Sequence, residues 1–157
     1  MALIEVQNLK KYFPVKQGPI DVLLRKPRKF VKAVDGVNFQ IDEGKSLGLV
    51  GESGSGKTTT GRVILRLEEP TDGKIIFDGR DITKLSKEEM RKLRKEMQII
   101  FQDPMASLNP YMRVGKAIEH ALKIHGIGDR SSRKEMVFEM LRRVNLEPAE
   151  DIYRRYP

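Results

Sequence analysis

"GESGSGKTTT", residues 51–60, places three glycines, one lysine and a row of hydroxyl side chains between two apolar segments. The segment before it, residues 47–50, is apolar enough for a strand that is covered on both faces. The segment after it, residues 63–67, has the apolar spacing of a helix that buries one side. The ten residues therefore predict a glycine-rich loop that joins a buried strand to a helix.

The residue types in this loop suit a phosphate group, and their spacing satisfies the pattern GxxxxGK[ST]. Glycines let backbone amides turn inward around an anion, and the N-terminus of the next helix points further amides and its dipole at the same place. The ammonium of Lys57 can lie across β- and γ-phosphate oxygens, and the hydroxyl of Thr58 can bind the accompanying Mg²⁺. We therefore predict that the following residues bind a nucleotide: Gly51, Glu52, Ser53, Gly54, Ser55, Gly56, Lys57, Thr58 and Thr59.

Composition is that of an ordinary globular protein, with 157 residues of which 39% are hydrophobic and 33% are charged. No apolar run approaches the roughly 18 residues of a membrane span, and the first residues lack the plan of a secretory signal. The absence of cysteine excludes a disulfide and a thiolate metal site, and it fits a reducing compartment. These features predict a cytoplasmic protein.

The net charge of +8 is concentrated in one stretch of the chain. Residues 16–32 hold six lysines and arginines against Asp21, so this stretch carries +5 of the +8. It has a single aromatic residue, Phe30, that could stack on a base, and it has no helical pattern that would enter a groove, which argues against a nucleic-acid partner. A solvated or membrane-facing loop is the favoured interpretation.

Further elements follow from periodicity and from turn and cap residues. Alternating apolar and polar residues predict strands at 4–9 and 37–42, separated by a loop inserted from Pro14 to Pro27. Non-alternating apolar runs predict strands at 45–51, 74–77 and 98–102. Four helices are predicted. The first runs from about Thr58 to Pro70 with Val63, Ile64 and Leu67 inward, and the second begins at a Ser86/Glu89 capping box and buries Met90, Leu93 and Met97. The third runs from Val114 to His125, and the fourth begins at Ser132 with Glu135 and buries Met136, Met140, Leu141 and Val144.

The phosphate loop alone does not separate GTPases, small-molecule kinases, helicases and transport ATPases. A GTPase would carry an Asn-Lys-x-Asp segment and a DxxG segment, and this sequence contains neither. Instead, Gln102 follows a predicted strand within the segment QIIFQDPMASLNPYMRVG, residues 98–115.

The order of four segments resembles the ATP-binding subunits of ABC transporters: LKKYF (9–13), VKAVDGVNFQIDEGKSLGLVGESGSGKTTTGRVILRL (31–67), GKIIFDGRDI (73–82) and QIIFQDPMASLNPYMRVG (98–115). The insert before VKAVDGVNF and the FQDP…SLNP segment are similar to those of the dipeptide and oligopeptide importer branch. The resemblance covers the whole chain and implies an α/β P-loop NTPase fold of the ABC ATPase type. It divides the chain into the front half of a nucleotide-binding core with an N-terminal antiparallel β subdomain, residues 1–102, and a helical subdomain, residues 103–157.

The resemblance also implies roles for individual residues. Phe13, with Tyr12 as the alternative, would stack on the adenine of ATP. Gln102 would be the Q-loop glutamine that reaches Mg²⁺ and the attacking water, so that Lys57 and Gln102 are the candidate catalytic residues and Thr58 and Gln102 the candidate metal ligands. The implied partners are ATP with Mg²⁺, permease subunits and a second ABC ATPase subunit, identical or different, at the inner face of the cell membrane.

Several parts of the family's catalytic machinery do not occur in these 157 residues. They are the Leu-Ser-Gly-Gly-Gln signature, the Walker B strand with its magnesium-binding Asp and catalytic Glu, and the switch histidine. The resemblance therefore implies an incomplete sheet, a helical subdomain that stops before the signature, and a chain that alone binds Mg-ATP without hydrolysing it. Two alternatives stay open: a non-transport ABC ATPase that acts on nucleic acid or ribosomes, and a nucleotide-binding module without turnover.

Overall fold

The computed structural model describes residues 2–157, except for the side chains of residues 21 and 22. The chain forms two units: the first ends at Gln98, and the second comprises Ile99–Pro157. The domain boundary that the sequence places after residue 102 stays a prediction.

The first unit is built on an open antiparallel sheet with the strand order β2-β1-β3-β4. Its strands are β1 (Ala2–Pro14), β2 (Phe30–Asp42), β3 (Asp72–Phe77) and β4 (Arg80–Asp81). Residues 37, 39 and 41 of β2 are partly buried whereas residues 38, 40 and 42 are exposed, as their alternation predicts. The antiparallel β subdomain expected from the sequence is therefore confirmed.

The predicted insertion between β1 and β2 lies at the end of a long hairpin. It contains a short helix, α1 (Pro19–Leu23), and the Val15 amide donates to the Lys29 carbonyl at 2.9 Å, which extends the pairing of the two strands. Asp78 and Gly79 form the turn that joins β3 to β4, and both residues have positive φ, 47° and 71°.

Two helices cover the sheet of the first unit, α2 (Lys57–Ile64) and α3 (Lys87–Leu93). The predicted Ser86/Glu89 capping box is present at the start of α3. Leu67 is exposed, contrary to expectation, because α2 ends at Ile64 and the chain turns away at Arg66, whose φ is 51°. The core consists of Val6, Leu9, Val34, Val63, Ile75, Phe77, Ile82, Met90, Leu93 and Met97.

The strands predicted at 45–51 and 98–102 are wrong for this structure. Neither segment belongs to a strand, and both expose apolar side chains, with Val50 98% and Ile100 92% accessible. A strand covered on both faces needs a paired strand on each side to satisfy its backbone groups. The described residues place no strand beside either segment, which explains why the local apolar pattern does not produce one.

The second unit is helical, as expected. It contains a 3₁₀ turn (Met105–Ser107) and three helices, α4 (Val114–Ile124), α5 (Arg130–Arg143) and α6 (Ala149–Arg154), around a core of Leu122, Val137, Phe138, Leu141 and Ala149. The helix predicted from Val114 to His125 is present as α4 and ends one residue earlier, and the chain turns at Gly126, whose φ is 66°.

The predicted start and buried face of α5 need correction. Asp129 caps the helix by accepting from the amides of Ser131 and Ser132, so Ser132 lies inside the first turn. The helix buries Val137 and Phe138, while Met140 and Val144 are exposed.

Candidate nucleotide-binding site

The glycines of residues 51–60 give the loop a shape that other residues would strain. Gly54 and Gly56 have φ values of 82° and 92°, in the left-handed region that favours glycine. A Cβ at Gly56 would also lie 2.2 Å from the carbonyl oxygen of Ala33 in β2. The loop therefore passes too close to the sheet to carry a side chain at this position.

The start of α2 leaves backbone donors at the loop. Gly56 is the N-cap residue, and no side chain caps the helix. The first amides of a helix have no partner within it, and together with the helix dipole they form a site for an anion. The structure thus has the arrangement that the glycine-rich motif predicts.

Lys57 closes the loop from within. Its Nζ donates to the carbonyl oxygens of Gly51 at 2.7 Å and Glu52 at 2.6 Å, and it lies 3.3 Å from the Ser55 hydroxyl. These acceptors hold the ammonium group at the centre of the loop, although they carry no formal charge. A phosphate oxygen placed there would form a stronger, charge-assisted hydrogen bond.

Three consecutive threonines differ in what their side chains do. The hydroxyl of Thr60, a buried residue, donates to the Gly56 carbonyl at 2.9 Å and so belongs to the helix itself. Thr59 is half-buried and Thr58 is exposed. The Thr58 hydroxyl has no hydrogen-bond partner within the described chain, so it can bind a cation that accompanies phosphate. The loop, Lys57 and Thr58 together fit Mg²⁺-bound nucleotide phosphates.

The two candidate adenine-stacking residues are neighbours in β1 with different surroundings. The Tyr12 hydroxyl donates to the Asp35 carboxylate, which raises the pKa of Tyr12 and lowers that of Asp35, and the Lys32 ammonium lies 5.3 Å from the Tyr12 ring. The Phe13 ring is exposed, with the Lys11 ammonium 4.9 Å from its centroid. Phe13 therefore has the ring that is less committed to other contacts, and the choice between the two stays a prediction.

Gln102 belongs to the second unit, where it is exposed in a bend before the 3₁₀ turn. Its role as a catalytic and metal-binding residue stays a prediction. Within residues 51–59, in contrast, the structure brings all of the predicted residues into one loop and one helical turn. The Ala33 carbonyl is a neighbour of the loop that the sequence does not predict, because no local pattern indicates a contact between residues so distant in the chain.

No helix in the described part of the chain is long and apolar enough to cross a membrane.

Comparison with known proteins gives consistent results. The profile of the family described as ABC transporter matches residues 34–156. The oligopeptide transport ATP-binding protein AppF of Bacillus subtilis is 45% identical over 99% of this chain, and the dipeptide transport ATP-binding protein DppF of Haemophilus influenzae is 43% identical over 99%. The chain spans 46% and 45% of the lengths of these two relatives.

Solved structures show the same fold. The dimeric structure of MJ0796, a bacterial ABC transporter cassette, has a TM-score of 0.75 and 27% identity, with 98% of this chain and 61% of that chain covered. A post-hydrolysis state of that cassette, bound to ADP and Pi, has the same TM-score with 26% identity and the same coverage of both chains. The sequence profile, the relatives and the fold agree, and this chain belongs to the ABC transporter family.

Proposed function

We propose that residues 51–59 bind Mg-ATP and that the chain serves as the ATP-binding part of an ABC transporter that takes up peptides. The observation that carries the nucleotide site is the loop itself, in which Lys57 Nζ lies between the Gly51 and Glu52 carbonyls next to the uncapped start of α2. The names of the relatives from Bacillus subtilis and Haemophilus influenzae support peptides as the class of solute.

Each group in the loop has a separate task in this proposal. The amides of the loop and of the first turn of α2 hold the phosphate oxygens, because both sets of donors and the helix dipole favour negative charge. Lys57 moves from its carbonyl partners to phosphate oxygens, and the exposed Thr58 hydroxyl binds Mg²⁺. Bound Mg-ATP would supply the phosphoryl group whose hydrolysis powers transport.

We propose roles for two further residues. Phe13 offers its exposed ring to adenine, since stacking needs only an accessible π-face. Gln102 takes the role of the Q-loop glutamine, for which a carboxamide is suited because it both donates and accepts hydrogen bonds.

Calorimetry with Mg-ATP tests the nucleotide site. Lys57→Ala should lower the affinity by about tenfold or more, because it removes the cation that faces the phosphates. Lys87→Ala is the matched control, since Lys87 is an exposed lysine of the same unit at the start of α3. Equal affinity of all three proteins would contradict the site.

Lys57 also braces the loop, so its loss could lower affinity by loosening the loop. Urea unfolding without nucleotide separates the two effects. A Lys57→Ala protein that unfolds at the same urea concentration as the unchanged chain but binds Mg-ATP weakly has lost a phosphate contact. A large shift of the unfolding midpoint would instead show that the lysine is mainly structural.

We further propose that the segment from Gln102 to about His125 contacts a permease subunit at the inner face of the cell membrane, where a second ABC ATPase subunit completes the assembly. This segment exposes Met105, Leu108 and Tyr111, apolar side chains of the kind that a partner covers.

The chain has no cysteine, so one introduced thiol is unique. Ser107→Cys in the 3₁₀ turn should crosslink to the permease in membranes, and so should Met112→Cys. Ser131→Cys, an exposed serine in α5, is the control. Crosslinks from Ser107→Cys that reach only soluble proteins would contradict permease docking.

A further inference from the structure

The end of the β1–β2 hairpin, residues 15–31, combines exposed apolar and basic side chains. We call it the hairpin tip. Leu23 is 82% and Ile20 70% accessible, and Leu24, Phe30 and Val31 are also exposed. None of these residues contributes to the core of the first unit. Such a concentration of accessible apolar side chains marks a surface that contacts something other than water.

Basic side chains surround this apolar surface. Lys16, Arg25, Lys26, Arg28 and Lys29 are all exposed. Within the described part of the chain no carboxylate pairs with Lys16, Arg25, Arg28 or Lys29. Lys32, by contrast, is paired with Asp35 at 3.2 Å and lies on the Tyr12 ring, so it belongs to the base of the hairpin.

Three of the lysines line one hollow. A depression of about 230 Å³ is bounded by Val15, Lys16, Gln17, Lys26, Pro27 and Lys29. Two hydrogen bonds hold its walls together, since the Val15 amide donates to the Lys29 carbonyl and the Gln17 side chain donates to the Lys26 carbonyl at 2.8 Å. The hollow therefore lies among lysine side chains on a backbone that these hydrogen bonds hold, which suits a phosphate-bearing headgroup.

We propose that the hairpin tip binds directly to the surface of a bilayer that contains anionic lipids. Exposed aliphatic side chains gain free energy when they enter the boundary between headgroups and acyl chains, and lysines and arginines around them are attracted to anionic headgroups. A nucleic acid would attract the cations and could stack on Phe30, but Ile20, Leu23 and Leu24 would stay exposed to water, because aliphatic side chains offer no stacking surface to bases. The combination of both properties favours lipid, and this contact does not depend on the nucleotide site.

Sedimentation with vesicles tests the proposal on the full chain. Binding to phosphatidylcholine vesicles containing phosphatidylglycerol should exceed binding to phosphatidylcholine alone and should weaken with added salt. Each cation near an anionic surface strengthens binding about fivefold, so Lys16→Gln with Lys29→Gln should weaken it about 25-fold. Lys92→Gln with Lys95→Gln removes the same charge from exposed positions of the same unit and should leave binding unchanged within about twofold.

A second variant distinguishes insertion from simple charge attraction. Leu23→Ser with Leu24→Ser keeps every cation and should also weaken vesicle binding at least tenfold, because about 0.8 kcal/mol is lost for each methylene no longer buried. Equal losses for the tip lysine pair and the control lysine pair would overturn the proposal. It would also be overturned if the two serines left binding unchanged, or if a nucleic-acid duplex competed the chain off the vesicles and bound the serine variant as well as the unchanged chain.

Discussion

Alanine at Gly56 and at Gly54 separates backbone strain from a steric clash in the phosphate loop. The two glycines have similar φ values, 92° and 82°, so a Cβ costs about 1–2 kcal/mol of conformational strain at each position. The effect of glycine on the unfolded chain is also the same for both substitutions, and it cancels in their difference. Only the surroundings differ: nothing lies within 4 Å of a Cβ at Gly54, whereas the Ala33 carbonyl oxygen lies 2.2 Å from one at Gly56.

The clash at Gly56 cannot be relieved by a side-chain rotation. The atom that meets the new Cβ is a backbone oxygen of β2, flanked by the pairs of Lys32 with Tyr12 and of Val34 with Lys11. Either β2 or the loop must therefore move by about 1 Å, and overpacking of this kind costs about 1–3 kcal/mol. We expect Gly56→Ala to lower the free energy of unfolding by about 1–3 kcal/mol more than Gly54→Ala does.

Urea unfolding followed by circular dichroism measures the difference, and calorimetry with Mg-ATP measures its effect on the site. If the loop moves instead of the strand, the Lys57 contacts to Gly51 and Glu52 are disturbed, and the affinity of Gly56→Ala falls further than that of Gly54→Ala. Equal unfolding free energies and equal affinities for the two variants would refute the close approach of the loop to β2.

Three other outcomes are expected. Gly115→Ala should lower the free energy of urea unfolding of the helical unit by about 1–3 kcal/mol, because a Cβ would lie 2.0 Å from the Tyr153 ring. Tyr153→Phe keeps that ring and should lower the free energy of unfolding by less. Hydrogen bonds from the Ser86 amide and hydroxyl make the pKa of Glu89 lower in the folded chain than in the unfolded chain. The Glu89 carboxylate therefore stabilises the fold at pH values above the pKa of the unfolded chain, and this contribution is lost as pH falls through the lower pKa of the folded chain. Glu89→Gln should therefore lower the urea midpoint at neutral pH, with a gap to the unchanged chain that closes below about pH 4.3. Residues 1–157 alone should show no steady phosphate release from Mg-ATP, and release that Lys57→Ala abolishes would contradict this expectation.

The features that the sequence predicted well depend on neighbours close in the chain. The alternation in residues 37–42 and the Ser86/Glu89 capping box are decided within one strand or one helical turn, and both are present. The predicted start of α5 at Ser132 was wrong although capping is a local feature, because Asp129 and Ser132 are both residue types that cap helices well. The buried face is set by packing against α4 and α6, whose Leu122 and Ala149 share a core with Val137 and Phe138, and Met140 and Val144 stay exposed.

The two strands predicted at 45–51 and 98–102 do not form because they depend on distant parts of the chain. Their apolar pattern is typical of a strand that needs partners far away in the sequence. β1 pairs with β2 and β3 with β4 through hairpins, which antiparallel strands form readily. A strand buried on both faces pairs instead with parallel neighbours brought in by long crossover connections, and its apolar run does not state where they come from. Residues 45–50 and 98–101 carry such runs and lie exposed in this structure.

The phosphate loop keeps its shape although no strand forms before it. Three contacts that do not involve the preceding segment hold it. Val63 anchors α2 in the core, and the Ala33 carbonyl of β2 limits how closely the loop approaches at Gly56. Lys57 links the beginning of the loop to the helix through its hydrogen bond to the Gly51 carbonyl. Two of these three constraints arise within fifteen residues of the motif. Ten residues were therefore enough to predict a glycine-rich loop at the start of a helix, whereas the strand expected before them depends on partners that their sequence does not describe.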